Sequence, residues 1–165
     1  RSRMAELKEA LSTHDTVDQV LEAFAQPATI PAPVTAHRAT IDRCFGFDTA
    51  EEIVAALEAD EDPWCAAVLK TMMAKSPTSM KIALAQVRAG RAISFEEAMV
   101  TEFRIVSRIC RGHDFYEGVR AVIIDKDNAP RWQPATLAGV TADQVAAHFA
   151  PLGTGELVPP PVPAS

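Results

Sequence analysis

The sequence predicts an all-α chain of about nine helices. Two observations carry that class. Helix-start signals recur along its length, and apolar residues fall at three- and four-residue spacing between them. The single β-branched run, Val119 to Ile124, is open to reading as a strand. A capping signal just before it favours helix. No repeat of fixed period occurs, which excludes a solenoid.

In order, Met4, Leu7 and Leu11 share one face of a first helix over 3–11. Thr16-Val17-Asp18-Gln19 is a capping-box pattern, in which hydroxyl and amide satisfy orphan backbone donors reciprocally. It is expected to start a helix carrying Val17, Val20, Leu21 and Phe24. Gln26 to Pro33 interrupts helix three times with Pro and marks an internal boundary. A short helix over Thr35 to Phe45 then ends near Gly46. Thr49-Ala50-Glu51-Glu52 opens a helix with Ile53, Val54 and Leu57 inside.

Asp62-Pro63 and Ser76-Pro77 each place a cap residue before a Pro at the first helical position. The first of these helices carries Trp64, Ala67 and Val68 on its apolar face, with Met72 next in line. The second carries Met80, Ala83, Leu84 and Val87, and Gly90 stops it. Ser94-Phe95-Glu96-Glu97 starts the longest helix, to about Arg111. Its stripe of Phe95, Met99, Phe103, Val106 and Cys110, widened by Ala98, Ile105 and Ile109, predicts heavy burial. Gly112-His113 is a turn, and Asp114-Phe115-Tyr116-Glu117 caps the next helix. A charged loop covers Asp125 to Pro134. Thr141-Ala142-Asp143-Gln144 opens the last helix, with Val140 and Val145 as a hydrophobic staple. The organisation expected is helices over 1–26, a Pro-rich loop over 27–34, a helical domain over 35–152 and a disordered tail over 153–165.

The formal net charge of -6 argues against a general nucleic-acid or membrane-surface binder, which needs a basic field. No apolar run approaches the roughly 20 residues that span a bilayer. Cys44, Cys65 and Cys110 are widely spaced and predict free thiols in a reducing compartment. The opening Arg1-Ser2-Arg3-Met4 runs straight into a helical pattern without an initiator Met, and suggests a chain cut from something longer.

No catalytic set is visible. His113, Asp114 and Glu117 suggest an acid/base group, but these residue types are also common helix starters, and no nucleophile is placed beside them. The histidines at 14, 37, 113 and 148 lack the spacing of a zinc site, so no metal site is expected. Arg120, Lys126, Arg131 and Trp132 form a basic-aromatic cluster suited to a phosphorylated nucleotide such as coenzyme A. On spacing alone it reads first as a solvated loop in which Arg120 pairs Glu117 or Asp125.

Three segments, SPTSMKIAL (76–84), SFEEAMVTEFRI (94–105) and above all RGHDFYEGVRAVIIDKDNAPRW (111–132), resemble the C-terminal part of the 3-hydroxyisobutyryl-CoA hydrolases of the enoyl-CoA hydratase/isomerase (crotonase) superfamily. The resemblance implies that these helices follow an α/β spiral of ββα units, absent here, which holds an oxyanion hole and acidic catalytic residues. No catalytic residue of the family matches a position in this chain. The resemblance implies CoA contacts at the matching positions Lys126 and Trp132, with Arg131 between them in sequence; Arg120 stays a candidate from the basic-aromatic cluster alone. Asp127 stands where many relatives have a second basic residue, which weakens the expectation of a two-residue phosphate clamp. No separate cofactor is implied, since CoA belongs to the substrate. The implied partners are an acyl-CoA, the missing spiral half and a possible second copy, with no nucleic acid and no membrane. The implied activity is thioester hydrolysis in valine breakdown, in a bacterial cytoplasm or a mitochondrial matrix, with this chain alone inactive. The alternatives are a hydratase or isomerase of the same superfamily, and a non-catalytic helical assembly module.

Overall fold

Most of the helix starts are set by a side chain from the residue before the first turn. In the computed structural model, which describes residues 3–13, 16–26 and 32–160, nine α-helices and no strand are found among the described residues. They are α1 (Met4–Thr13), α2 (Val17–Phe24), α3 (Arg38–Cys44), α4 (Ala50–Ala59), α5 (Pro63–Met73), α6 (Pro77–Ala89), α7 (Phe95–Ile109), α8 (His113–Val119) and α9 (Ala142–Phe149).

Capping boxes close α4, α7 and α9 from Thr49, Ser94 and Thr141, each with both reciprocal bonds. Asp62 and Ser76 cap α5 and α6, with Pro at the first turn. The expected box at Thr16 does not form. Its ψ is 95°, against 153° at Thr49 and 169° at Ser94, and its hydroxyl makes no cap bond. The next correction concerns α8, whose N-cap is Gly112 rather than Asp114. Asp114 lies inside the first turn, where its carboxylate is drawn into tertiary bonds instead.

The run of uncertain type, 119–124, is helical. It continues α8 as a π-turn over Arg120–Ile124, closed by Asp125 N–H donating to Arg120 O at 2.8 Å.

The chain divides into two units, residues 1–38 and 39–165. In the first, α1 and α2 lie against each other, Val20 is buried, and the Arg3 guanidinium sits 4.6 Å from the centre of the Phe24 ring. Val17 and Leu21 are exposed. Residues 27–31, most of the expected Pro-rich loop, lie outside the described residues. The second unit centres on Cys44, Ile53, Leu57 and Cys65, with Trp64, Val68, Leu69, Met72 and Leu84 packed around them. α6 then meets α4 and α9, and α9 meets α7.

Two apolar stripes turn differently from expectation. In α6 the buried residues are Pro77 and Ile82, while Ala83 and Val87 face outward. In α5 the fully buried residue is Cys65, and Ala67 is exposed. The larger correction is α7. Only Ile105 is buried, whereas Phe95, Met99, Phe103 and Val106 are 75%, 43%, 37% and 48% exposed. The helix gives α9 a different side, on which Arg104 and Arg108 donate to the carbonyls of Phe149, His148 and Pro151. Those carbonyls end a helix whose terminus carries partial negative charge, so cations suit them. The end of the chain is tied down in part. Gly153–Gly155 form a 3-10 turn, and Glu156 accepts from Arg104 Nε at 3.0 Å and from Leu152 N–H at 3.1 Å.

Close approach fixes one glycine. A Cβ at Gly139 would lie 2.8 Å from the Pro134 Cβ, inside contact distance. A proline ring cannot swing aside, so Gly139→Ala is expected to destabilise by roughly 1–3 kcal/mol through overpacking. Urea unfolding checks this, and an unchanged midpoint would refute it.

Candidate functional site

The basic-aromatic cluster and the cavity beside it are both built around α8. Arg120 ends that helix and is engaged on every side. Its Nε and Nη2 grip the Glu117 carboxylate at 2.9 and 2.7 Å, a bidentate pair. Its Nη1 donates to Asp125 Oδ2 and Asp127 Oδ2, both at 2.7 Å, and Nη2 also reaches Ala129 O at 3.2 Å. Glu117 additionally accepts the Arg131 N–H at 2.7 Å, and Asp127 accepts the Ala129 N–H at 2.9 Å. The Arg120 guanidinium, then the Arg131 N–H, hold the Glu117 carboxyl down at about 2. The Ala129 N–H, then Arg120, lower Asp127. Glu117, then Asp127 and Asp125, raise Arg120 above its ordinary value. Arg120 is thus the hub of the loop after α8, and its donors are spent within the chain.

Two other members of the cluster are arranged differently. Lys126 and Arg131 are exposed, and neither side chain has a hydrogen-bond or ion-pair partner among the described residues. Lys126 sits at φ 57° and Asn128 at φ 52°, in the left-handed region that bulky side chains seldom adopt. Both lie in the loop whose Asp125, Asp127 and Ala129 are bonded to Arg120. Trp132 turns back onto α8. Its ring atom Cη2 comes within 3.3 Å of where a Cβ on Gly118 would stand, and its Nε1 donates to Ala74 O at 3.2 Å. The fold therefore brings Arg120, Asp125, Asp127 and Glu117 together. It leaves Lys126 and Arg131 available and makes Trp132 part of a wall.

That wall belongs to a cavity of about 720 Å³ lined by parts of α6, α7, α8 and α9 and by Trp132 to Pro134. Phe115, Val119, Val122 and Ile123 give it an apolar side; Ser76, His113, Asp114 and His148 give it polar points. Spacing alone did not single out Ser76, Gln144 or His148 as neighbours of this site, because they lie on helices distant in sequence. Asp114 joins the elements. It accepts from Ser76 Oγ at 2.5 Å, from the Gln133 N–H at 2.9 Å and from His113 Nδ1 at 3.0 Å. A carboxylate only accepts, so His113 carries its neutral-state proton on Nδ1 and leaves Nε2 open. His148 does the same, with Nδ1 2.8 Å from Gln144 O. Serine and histidine thus touch the same carboxylate but not each other. This order is not that of a serine–histidine pair, in which the imidazole itself reaches the hydroxyl. The arrangement is an apolar recess with fixed polar edges, suited to holding a ligand or a partner surface.

The described residues form a helical array with an apolar recess, and the loop after α8 carries two available cations. Comparison with known proteins then gives the family. The enoyl-CoA hydratase/isomerase family model matches residues 1–149, and the chain belongs to that family. It is 42% identical over 121 residues to the human mitochondrial 3-hydroxyisobutyryl-CoA hydrolase, covering 73% of this chain and 31% of the relative. With the zebrafish protein of the same name it shares 38% over 145 residues, 86% of this chain and 38% of the relative. A carnitinyl-CoA dehydratase from Mycobacterium thermoresistibile superposes with a TM-score of 0.75 at 35% identity, over 95% of this chain and 44% of that one. An enoyl-CoA hydratase from Rhodobacter sphaeroides gives 0.76 at 32% identity, over 95% and 45%. The chain therefore spans less than half the length of each of these relatives.

The Glu117 network predicts a pH response. Its carboxyl titrates at about 2 in the fold and at about 4.3 when unfolded. A lowered folded value stabilises above the unfolded one, and that stability is lost as pH falls from about 4.3 through about 2. Asp127 acts in the same sense. In melting curves taken across that window, Glu117→Gln is expected to lower Tm at neutral pH and to flatten its fall on acidification. A slope equal to that of the unaltered chain would contradict this account.

Proposed function

We propose that this chain is the C-terminal helical part of a CoA-thioester hydrolase acting on 3-hydroxyisobutyryl-CoA in valine breakdown. The spiral half carrying the oxyanion hole and acidic residues is supplied by sequence outside these 165 residues. The observation that carries the reading is the 42% identity to a named hydrolase over 121 residues. The exposed face of α7 and the apolar side of the α8 recess support it as surfaces for that half to cover. A second reading, hydration of an enoyl-CoA, draws on the two superposing structures.

Within the hydrolase reading, Lys126 is the CoA-phosphate contact, with Arg131 beside it, because their charges are not already used inside the chain. Trp132 shapes the recess, and Arg120 holds the loop that presents Lys126. A charge-assisted bond to phosphate contributes about 1.5 kcal/mol, roughly tenfold in affinity.

The test is free-thiol release from 3-hydroxyisobutyryl-CoA by the full-length protein, run beside hydration of an enoyl-CoA. Thiol release is expected from the full-length protein and none from the 165-residue chain. Hydration without thiol release would move the assignment to the second reading. Failure of both would leave a helical assembly module. In the same assay Lys126→Ala is expected to raise KM about tenfold with Tm unchanged. Arg120→Ala is expected to lower Tm first. An unaltered KM for Lys126→Ala would remove Lys126 from the CoA site.

A further inference from the structure

The core of the second unit holds a donor cluster that the function above does not use. Cys44 is the last residue of α3, Asp60 follows α4, and Cys65 lies in the first turn of α5. Their ligand atoms all lie within 4.8 Å of one another. Cys44 and Cys65 are 1% and 0% exposed, and the Asp60 side chain is 13% exposed. Cys44 Sγ stands 3.7 Å from Asp60 Oδ2. That is close to the edge of a tetrahedron with a metal–sulfur distance of about 2.3 Å and a metal–oxygen distance of about 2.0 Å, roughly 3.5 Å.

The carboxylate is already held in place. Asp60 Oδ1 accepts the Asp62 N–H at 3.0 Å. Arg43 grips Oδ2 from Nε and Nη2 at 2.9 and 2.6 Å. Such outer partners orient a ligand and tune its charge. They also balance the electrostatics. Two thiolates, one carboxylate, a divalent ion and the Arg43 guanidinium together carry no net charge, which a buried group requires. Thiolate donors select soft cations over magnesium or calcium.

We propose that Cys44, Asp60 and Cys65 form a three-ligand site for a soft divalent cation of the zinc and cadmium class. Binding replaces two S–H protons with metal–sulfur bonds and releases both protons to solvent. The ion ties the end of α3 to the α4–α5 junction, so its effect is on the stability of the core. The site is independent of the hydrolase reading and stands or falls without it.

The experiment is titration of cadmium into purified, reduced, metal-free protein, followed by thiolate-to-metal absorption in the ultraviolet. Zinc displacement of the signal and the melting temperature are read in parallel. One saturable equivalent dependent on Cys44 and Cys65, and a raised Tm, are expected. Cys44→Ala and Cys65→Ala are expected to abolish this equivalent, and Cys110→Ala to leave it intact. Asp60→Asn is expected to weaken it by at least about tenfold. Should either cysteine variant fail to fold, the titration of the unaltered protein and of Asp60→Asn decides the matter. No saturable signal in the unaltered protein would overturn the proposal, as would a signal that disappears with Cys110 or is indifferent to Asp60→Asn.

Discussion

One guanidinium organises the most specific stretch of the chain. Arg120 holds Glu117, Asp125, Asp127 and the Ala129 carbonyl together, and Glu117 in turn fixes the backbone at Arg131. From there the chain is led to Trp132, which closes on Gly118, and to Gln133, whose N–H meets Asp114. A planar donor with five N–H groups can satisfy several acceptors at fixed angles, which an ammonium cannot. The path of the loop, the left-handed turn at Lys126 and the wall of the recess all follow from that one side chain.

This changes what the motif over 111–132 means. Several of its residue choices are demanding because they have structural partners. Asp114 links α6, α8 and the 133 backbone. Gly118 makes room for the indole. Glu117 and Arg120 secure each other. A pattern that specific identifies a family through the shape it enforces. The residues with spare chemistry, Lys126 and Arg131, are the ones the internal network leaves out. Spacing grouped Arg120 with them because basic residues look alike in sequence. The alternative partner read for Arg120 at that level, Glu117 or Asp125, turns out to be both at once, with Asp127 added.

Where helices start was legible because caps are local. Thr49, Ser94 and Thr141 each act on backbone three residues away, and the Pro-led starts at 63 and 77 need only their neighbours. The failure at Thr16 is also local, a matter of ψ that residue type does not determine. Which face a helix buries is a different kind of fact. In α5 and α6 the periodicity identified apolar positions, yet Cys65 and Ile82 became the buried ones, since neighbouring helices decide which side is covered. The cluster of Cys44, Asp60 and Cys65 was illegible for the same reason. No short spacing connects them, and only the turn between α4 and α5 brings the carboxylate to the thiols.

The α7 stripe takes this argument one step further. Phe95, Met99, Phe103 and Val106 recur at helical spacing, and such a stripe normally faces a core. In this chain it faces outward, because α9 is met by the side bearing Arg104 and Arg108. Both faces have a reason. The arginines satisfy the carbonyls at the end of α9, and the apolar residues cost free energy wherever water reaches them. A helix with two committed faces belongs between two partners, of which the second unit supplies one. Under the proposed reading the spiral half supplies the other. The periodicity of α7 then records burial in the longer protein, and the exposure in this chain marks the surface where that burial is completed.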